Sequence, residues 1–467
     1  MSGFVLMFPT RGSTPSDETT INKEMKTKYT YKEIWIISYP ILISLIMEQM
    51  IGMTDTAFLG RVGEIELGAS AIAGIYYLAI FMMAFGFSIG AQIMIARRNG
   101  EQRYNEIGTI FYQGIYFLLA LAAVMFTLSI CFSPHILKNI ISSPNIYEAA
   151  VSYINWRVFG FFFSFIMVMF RAYFVGTTQT KTLTLNSIVM VLSNVVFNYI
   201  LIFGKFGFPK LGIAGAAIGS SLAELVSVLF FVIYTWKRID CRKYALHKLP
   251  AFQSKTLKAI LGVSFWTMIQ NLLSMSTWFM FFLFVEHLGE RALAITNIIR
   301  NVSGIPFMMT MAFASTCGSL VSNLIGAGET QCVQGTIRQH IRIAYAFVLP
   351  LLIFFALFPN LVLSIYTDIP ELREASIPSL WVLCTGYLIM IPCNVYFQSV
   401  SGTGNTRTAL VMEMCVLAVY IAYITYIILY LRVDVAICWT TEHLYATLTL
   451  ILCWWYIKKG NWQKKKI

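Results

Sequence analysis

Charge is what this sequence has least of: Asp, Glu, Lys and Arg make up 12% of its 467 residues, against about 25% in an ordinary soluble domain. With 58% of residues hydrophobic and a mean hydropathy of +0.70, one or two soluble cores could not absorb the apolar surface. A water-soluble globular protein is excluded. The nine cysteines are scattered, and Cys131, Cys317, Cys384 and Cys415 fall inside apolar runs. None is paired at metal-ligand spacing, so they read as small core residues in a reducing or buried setting, and no metal site is expected from them. The chain has no HExxH, no phosphate loop and no Ser/His/Asp grouping, so neither an enzyme nor a cofactor is expected. A cleavable signal peptide is not expected either, because the apolar residues 1–8 are too few and lack a basic lead.

What the chain does have is length in its apolar runs. A membrane helix needs about 20 mostly apolar residues, since about 1.5 Å of rise per residue must cross about 30 Å. Twelve stretches qualify: 34–58, 69–96, 109–132, 151–175, 184–203, 213–236, 260–285, 294–320, 341–358, 379–400, 409–431 and 435–457. The expected fold is an all-α polytopic membrane protein. The formal net charge of +12 would suggest nucleic acid in a soluble chain, but here Lys and Arg gather in short connections and set topology. With the N-terminus in the cytoplasm, inside segments hold 24 Lys and Arg and outside connections hold 7. Both termini are therefore expected in the cytoplasm, with the lipid bilayer as the only large partner and no nucleic acid.

The chain is also written twice. Residues 176–182 (GTTQTKT) after the fourth span answer 402–408 (GTGNTRT) after the tenth, displaced by 226. Gly63, Glu64 and Leu67 match Gly289, Glu290 and Leu293 at the same displacement, and Asn99-Gly100-Glu101 answers Ala327-Gly328-Glu329 at 228. Six spans is an even number, so the two halves enter the bilayer in the same sense, as parallel repeats about an axis along the membrane normal. The expected organisation is a disordered leader (1–30), a six-helix lobe (31–236), a basic linker (237–258), a second lobe (259–457) and a basic tail (458–467). Two matched lobes with a cavity between them favour a transporter over a receptor or scaffold.

Ionisable groups inside spans cost several kcal/mol unless they face a partner or a cavity. The first span holds Glu48 and Asp55, two helical turns and about 10 Å apart on one face, with no Lys or Arg in that helix to pair with. A carboxylate so placed suits exchange of a proton or a cation; the plainer reading is a hydrogen bond to a neighbouring helix. Pro40, within the same span, frees a backbone carbonyl and permits a bend. Asn194 and Asn198 share a face of the fifth span and read either as interhelical glue or, with Asp55 and Ser220, as an oxygen-rich cation pocket. The small-residue run 212–221 (GIAGAAIGSS) lets the sixth span approach closely. Arg157 and Arg171 are expected to snorkel to the interfaces. Tyr76, Tyr77, Trp266, Trp278 and Tyr387, with Glu224 and Arg300, are candidates for a substrate cavity, the aromatics by stacking on cationic compounds. Trp381, Glu413 and Glu442 are further candidates of the same kind.

Residues 53–63 (MTDTAFLGRVG), 203–212 (FGKFGFPKLG) and the paired Gly-Thr motifs resemble the multidrug and toxic compound extrusion (MATE) family over about residues 30–460. The resemblance implies a V-shaped twelve-helix antiporter, working as a single chain in a bacterial inner membrane. It would export organic, often cationic, drugs by alternating access in exchange for Na⁺ or H⁺. It assigns Asp55, Asn194, Asn198 and Ser220 to a cation site, transiently Na⁺-binding if sodium couples, and Pro40 to bending of the first helix. The NorM-like branch carries acids in helices seven and ten, at positions that here hold Ser274 and Met390, so coupling is expected in the N-terminal half, as in a DinF-like arrangement. Glu48 is the repeat mate of Ser274 and joins the candidate coupling residues. The competing reading is a flippase for lipid-linked precursors or polysaccharides of the wider superfamily; twelve spans and the acids Glu48 and Asp55 argue against it.

Because both halves of the cavity lie in one chain, mixing inactive with wild-type copies should leave activity proportional to the wild-type share. A strong dominant-negative effect in co-expression would contradict that.

Overall fold

The computed structural model describes residues 26–141 and 143–464; residues 1–25 of the expected leader and 465–467 of the expected tail lie outside the described residues. The first half consists of α1 (Tyr31–Leu59), α2 (Glu64–Gly100), α3 (Tyr104–Ile140), α4 in two pieces (Pro144–Arg157 and Gly160–Gly176), α5 (Lys181–Phe203) and α6 (Ile213–Arg238). The second consists of α7 (Ser254–Glu286), α8 (Glu290–Gly326), α9 (Val333–Leu357), α10 (Pro370–Gly402), α11 (Thr406–Ile424) and α12 (Thr441–Lys459). A π-helical turn, Thr425–Tyr430, prolongs α11, and a short turn, Val435–Cys438, leads into α12.

Among the described residues, eleven helices are long and apolar enough to cross a membrane, and the two pieces of α4, bent by 53°, make a twelfth if they are one span. The continuous span expected over 151–175 is therefore corrected: the helix starts at Pro144 and breaks after Arg157. The break lies where Arg157 turns inward to meet Glu224, and Gly160 leaves it room. A Cβ on Gly160 would stand 2.1 Å from Arg157 Nη1 and 2.5 Å from Glu224 Oε2. A hydroxyl–carboxylate capping box between Thr30 and Glu33 starts α1. Between α5 and α6 the chain turns through left-handed backbone at Gly204 (φ 66°) and Gly212 (φ 54°), conformations that glycine adopts without steric cost.

The halves are not sealed units. Ile34 of α1 packs in the core of the second half, where Trp35 stacks on Phe347 (4.2 Å between centroids) and on Phe313 (6.3 Å). Reciprocally, Ile260, Val263 and Met268 of α7 belong to the core of the first half. The start of each half's leading helix thus crosses into the other half, as a two-fold repeat requires. The linker is held down as well: Tyr112 donates to Leu246 O, Tyr116 to Pro250 O and Gln113 to Ala251 O.

Described hydrogen bonds between the halves all fall toward the end of the bundle where α1 begins and α12 ends. Gln92 Nε2 donates to Ser319 Oγ (2.8 Å), Ser322 Oγ to Ile93 O (2.8 Å), Asn323 Nδ2 to Gly176 O (3.1 Å) and Arg97 Nη2 to Thr403 O (2.9 Å). Lys28 pairs with Glu329 at 3.0 Å, and Thr267 Oγ1 donates to Gly86 O at 2.6 Å. From Gly86 to the opposite end of α2, about 30 Å of helix, no such bond links the halves among the described residues. Glycines permit the seam, since a Cβ on Gly90 would lie 2.3 Å from Ser264 Oγ and 2.5 Å from its Cα.

Gly90→Ala should therefore loosen this seam while leaving each half folded. Hydrogen exchange in α2 and α7 near Gly90 and Ser264 should rise several-fold at unchanged helicity; exchange at the wild-type rate would contradict the close packing.

Candidate functional site

Asp55, Asn194, Asn198 and Ser220 come from three helices. By helix rise they lie about 7 to 15 Å from the same end of the bundle: Asp55 before the end of α1, Asn194 and Asn198 before the end of α5, Ser220 after the start of α6. Asn198 Nδ2 donates to Asp55 Oδ1 at 2.5 Å and Ser220 Oγ to Asp55 Oδ2 at 3.1 Å. Asn194 Nδ2 donates to Ser220 Oγ at 3.2 Å, and Asn198 Nδ2 reaches Asn194 Oδ1, also at 3.2 Å. The close approach depends on Gly219, where a Cβ would stand 2.3 Å from Asn198 Oδ1. Both asparagines are fully buried, whereas Asp55 is only half-buried.

Every direct partner of Asp55 is neutral; among the described residues no ion pair includes it. Asn198 Oδ1 is buried with no donor. The cluster thus offers carboxylate, amide and hydroxyl oxygens with spare acceptor capacity, the chemistry that suits a hard monovalent cation or a proton. No group of three His, Cys, Asp or Glu suited to a metal occurs among the described residues.

Glu48 is not part of this cluster. Two turns away along α1, its Oε1 accepts from Ser44 (3.3 Å) and lies 3.4 Å from Arg171 Nη1. Arg171 from α4 thus answers an acid instead of reaching alone for the interface. Arg157 departs further from the expected snorkelling. It is buried in a two-pronged ion pair with Glu224, Nη1 to Oε2 at 2.9 Å and Nη2 to Oε1 at 2.5 Å. Its guanidinium lies 3.7 Å from the centroid of Tyr77. Glu224 is consequently a partner of Arg157, not a free cavity acid. Both residues sit about three to three and a half turns into helices that start at the same end, a match that is visible only once the helix is seen to begin at Pro144.

The aromatic candidates do not converge on one wall. Tyr76 donates to Ser129 at 2.8 Å, Tyr77 to Glu224 at 3.2 Å, and the buried Tyr387 to Ser303 O at 2.9 Å. Each phenol is tied inside its own half, because a hydroxyl in an apolar span needs a partner. Trp266 lies under Arg407 at 5.3 Å, and exposed Trp381 donates to Ala356 O. Trp278 and Arg300 do come together, with the guanidinium 5.8 Å from Trp278 and 5.5 Å from Phe282. Arg300 Nε is buried without an acceptor. Pro40 leaves α1 unbroken from Tyr31 to Leu59; beside it, Thr180 and Thr184 donate to the carbonyls of Ile37 and Pro40 at 2.8 and 3.3 Å.

Comparison with known proteins bears on the family and the fold. Residues 40–200 and 267–427 each match the MatE family, one match per repeat. The chain is 26% identical over 387 residues to a probable multidrug resistance protein NorM of Thermotoga maritima, covering 82% of each chain. It is 20% identical over 460 residues to a probable multidrug resistance protein YoeA of Bacillus subtilis, covering 97% of this chain and 98% of that one. Among solved structures, an outward-facing multidrug resistance MATE family transporter of the MOP superfamily superposes with a TM-score of 0.84 at 17% identity, covering 92% of this chain and 95% of the other. The eukaryotic MATE transporter AtDTX14 gives 0.80 at 15%, covering 93% and 96%.

The ion pair beside the cluster is open to a direct test. Arg157→Met strands Glu224 in an apolar interior and should destabilise the protein by about 3–5 kcal/mol. Adding Glu224→Leu should restore most of it, read by unfolding in denaturing detergent. Equal losses in the single and double variants would show that packing, not charge pairing, dominates there.

Proposed function

Because the chain belongs to the MatE family, we propose that it is a cation-coupled antiporter that expels drugs and other organic, often cationic, compounds by alternating access, with Asp55 as its coupling residue. The observation that carries this reading is an acid inside a membrane helix, held by the Asn198 amide and the Ser220 hydroxyl and beside an orphaned amide oxygen. A purely structural aspartate would be expected to meet a base, as Glu224 and Glu48 do. Drug resistance as the task rests on the names of the relatives, and exchange for Na⁺ or H⁺ rests on the chemistry of the cluster.

The path from ion to movement runs along α1. Its far part carries Asp55 against α5 and α6, while its start is packed through Trp35 into the second half. Binding an ion at Asp55 changes the charge that Asn198 and Ser220 address, so α1 is repositioned between the halves with Pro40 between its two anchors. With the basic segments in the cytoplasm of a bacterium, the closed seam lies on the cytoplasmic side and the state is outward-facing. Against a flippase with a strongly cationic cavity, the buried Arg157 is neutralised by Glu224.

Asp55→Asn keeps shape and hydrogen bonding but removes the titratable charge. Efflux of a cationic dye such as ethidium from a pump-deficient host should fall to the vector-only level, with expression unchanged and some dye binding retained. Glu48→Gln should give a milder defect. Wild-type efflux by Asp55→Asn against a gradient would sink the assignment and leave Asp55 a structural hydrogen-bonding residue.

A further inference from the structure

The two halves place an acid beside a hydroxyl at equivalent points, but they exchange which helix carries which. Counting by the repeat from Gly63 to Gly289 and from Gly176 to Gly402, Ser274 of α7 stands where Glu48 stands on α1. By the same count, Glu413 of α11 stands where Ser187 stands on α5. In the first half, Ser44 bridges the two positions, 2.8 Å from Ser187 Oγ and 3.3 Å from Glu48 Oε1. In the second, Ser274 Oγ donates directly to Glu413 Oε1. Ser274, which stands where the NorM-like branch has its helix-seven acid, therefore faces an acid supplied by a different helix.

The surroundings of the two acids differ. Glu48 has Arg171 at 3.4 Å, and its side chain is 43% exposed. Glu413 is 2% exposed and enters no ion pair among the described residues. Its Oε1 also accepts from Tyr445 at 3.3 Å, while Oε2 is buried with no donor at all. The titratable groups facing it are Tyr445 and Cys453 from α12 and Cys393 from α10, with Glu442 facing the first and last of these. From α7 it meets only the Ser274 hydroxyl. No base balances it, and a single carboxylate with two hydroxyls is a poor cage for a metal ion, which takes about six or more oxygens when it is hard.

We propose that Glu413 is a second proton-exchanging group, in the C-terminal half, with Ser274 and Tyr445 holding Oε1 so that Oε2 takes up and releases the proton. This rests on the antiporter reading and adds a site in the half from which coupling was expected to be absent. Uptake forms one O–H bond at Oε2 as one O–H bond of a hydronium ion breaks to leave water, and it cancels one negative charge on the carboxylate; release reverses the transfer. Because Ser274, Glu413 and Tyr445 lie on α7, α11 and α12, that charge change acts where these three helices meet.

Infrared difference spectra of the full chain in lipid nanodiscs, cycled between acid and alkaline pH, read the carbonyl stretch of protonated carboxyls without any substrate. Glu413→Gln should remove one component that Asp55→Asn keeps. Ser274→Ala and Tyr445→Phe, which retain the acid, should each shift that same component, and they decide the matter if Glu413→Gln does not fold. In proteoliposomes, proton counterflow per ethidium moved should fall in Glu413→Gln without being abolished. A spectrum unchanged by Glu413→Gln overturns the proposal, as does loss of the component on adding Na⁺ at fixed pH, which would mark a metal site. If Asp55→Asn leaves efflux intact while Glu413→Gln removes its component, the Asp55 assignment falls and this one stands.

Discussion

In a hydrocarbon slab an ionised side chain has to be answered, since leaving it bare costs several kcal/mol, and the interior of this protein is arranged around that requirement. Arg157 is answered by Glu224 and Arg171 by Glu48, and the first of these pairs accompanies a broken helix. The groups left with neutral partners are then few, and two acids stand out: Asp55 among amides and a hydroxyl, Glu413 between two hydroxyls. An acid answered by a base is fixed in charge; one answered only by neutral donors is free to change it. The division between scaffold and mechanism follows from which acids found a base.

Duplication supplied the frame, and divergence decided where polarity survived. The repeat mates of Asp55, Asn194 and Asn198 are Phe281, Tyr420 and Ile424, all buried in the core of the second half. There Phe281 packs edge-on against Trp439 and Tyr420 against Tyr445. At this depth one half is a carboxylate, amide and hydroxyl cluster and the other is aromatic packing. Two turns along, both halves keep an acid near a serine, one screened by arginine and one not.

Much of this was legible from the chain alone because lipid enforces simple rules. Length and hydropathy gave the spans, polar breaks gave their ends, and displaced motifs gave the two halves, which the paired MatE matches bear out. Asp55, Asn198 and Ser220 could be grouped because they lie at similar depth and match a family pattern. The break in α4 could not be seen, because a hydropathy window over 151–175 stays apolar on average despite Arg157 and Arg171 and carries no record of bending. Pairings between helices were equally hidden: Arg157 read alone is a snorkelling residue, and only the neighbour in space makes it half of an ion pair. Ser274 shows the same limit from the other side, since its acid arrives from 139 positions away. The segment 237–258 read as a basic linker, yet Tyr112, Gln113 and Tyr116 bind its backbone to α3.

The crossing of α1 and α7 bears on how such a molecule could arise. Each half lends the start of its first helix to the core of the other, Ile34 in one direction and Ile260, Val263 and Met268 in the reverse. A six-helix ancestor folding by itself would present an unfilled slot and an unburied helix start. Two copies would satisfy both by exchanging those segments, as domain-swapped partners do. Joining the copies end to end converts that exchange into an intramolecular one and frees it from dependence on concentration. Once joined, the copies need no longer be identical, and one could keep its polar cluster while the other filled that position with aromatic rings.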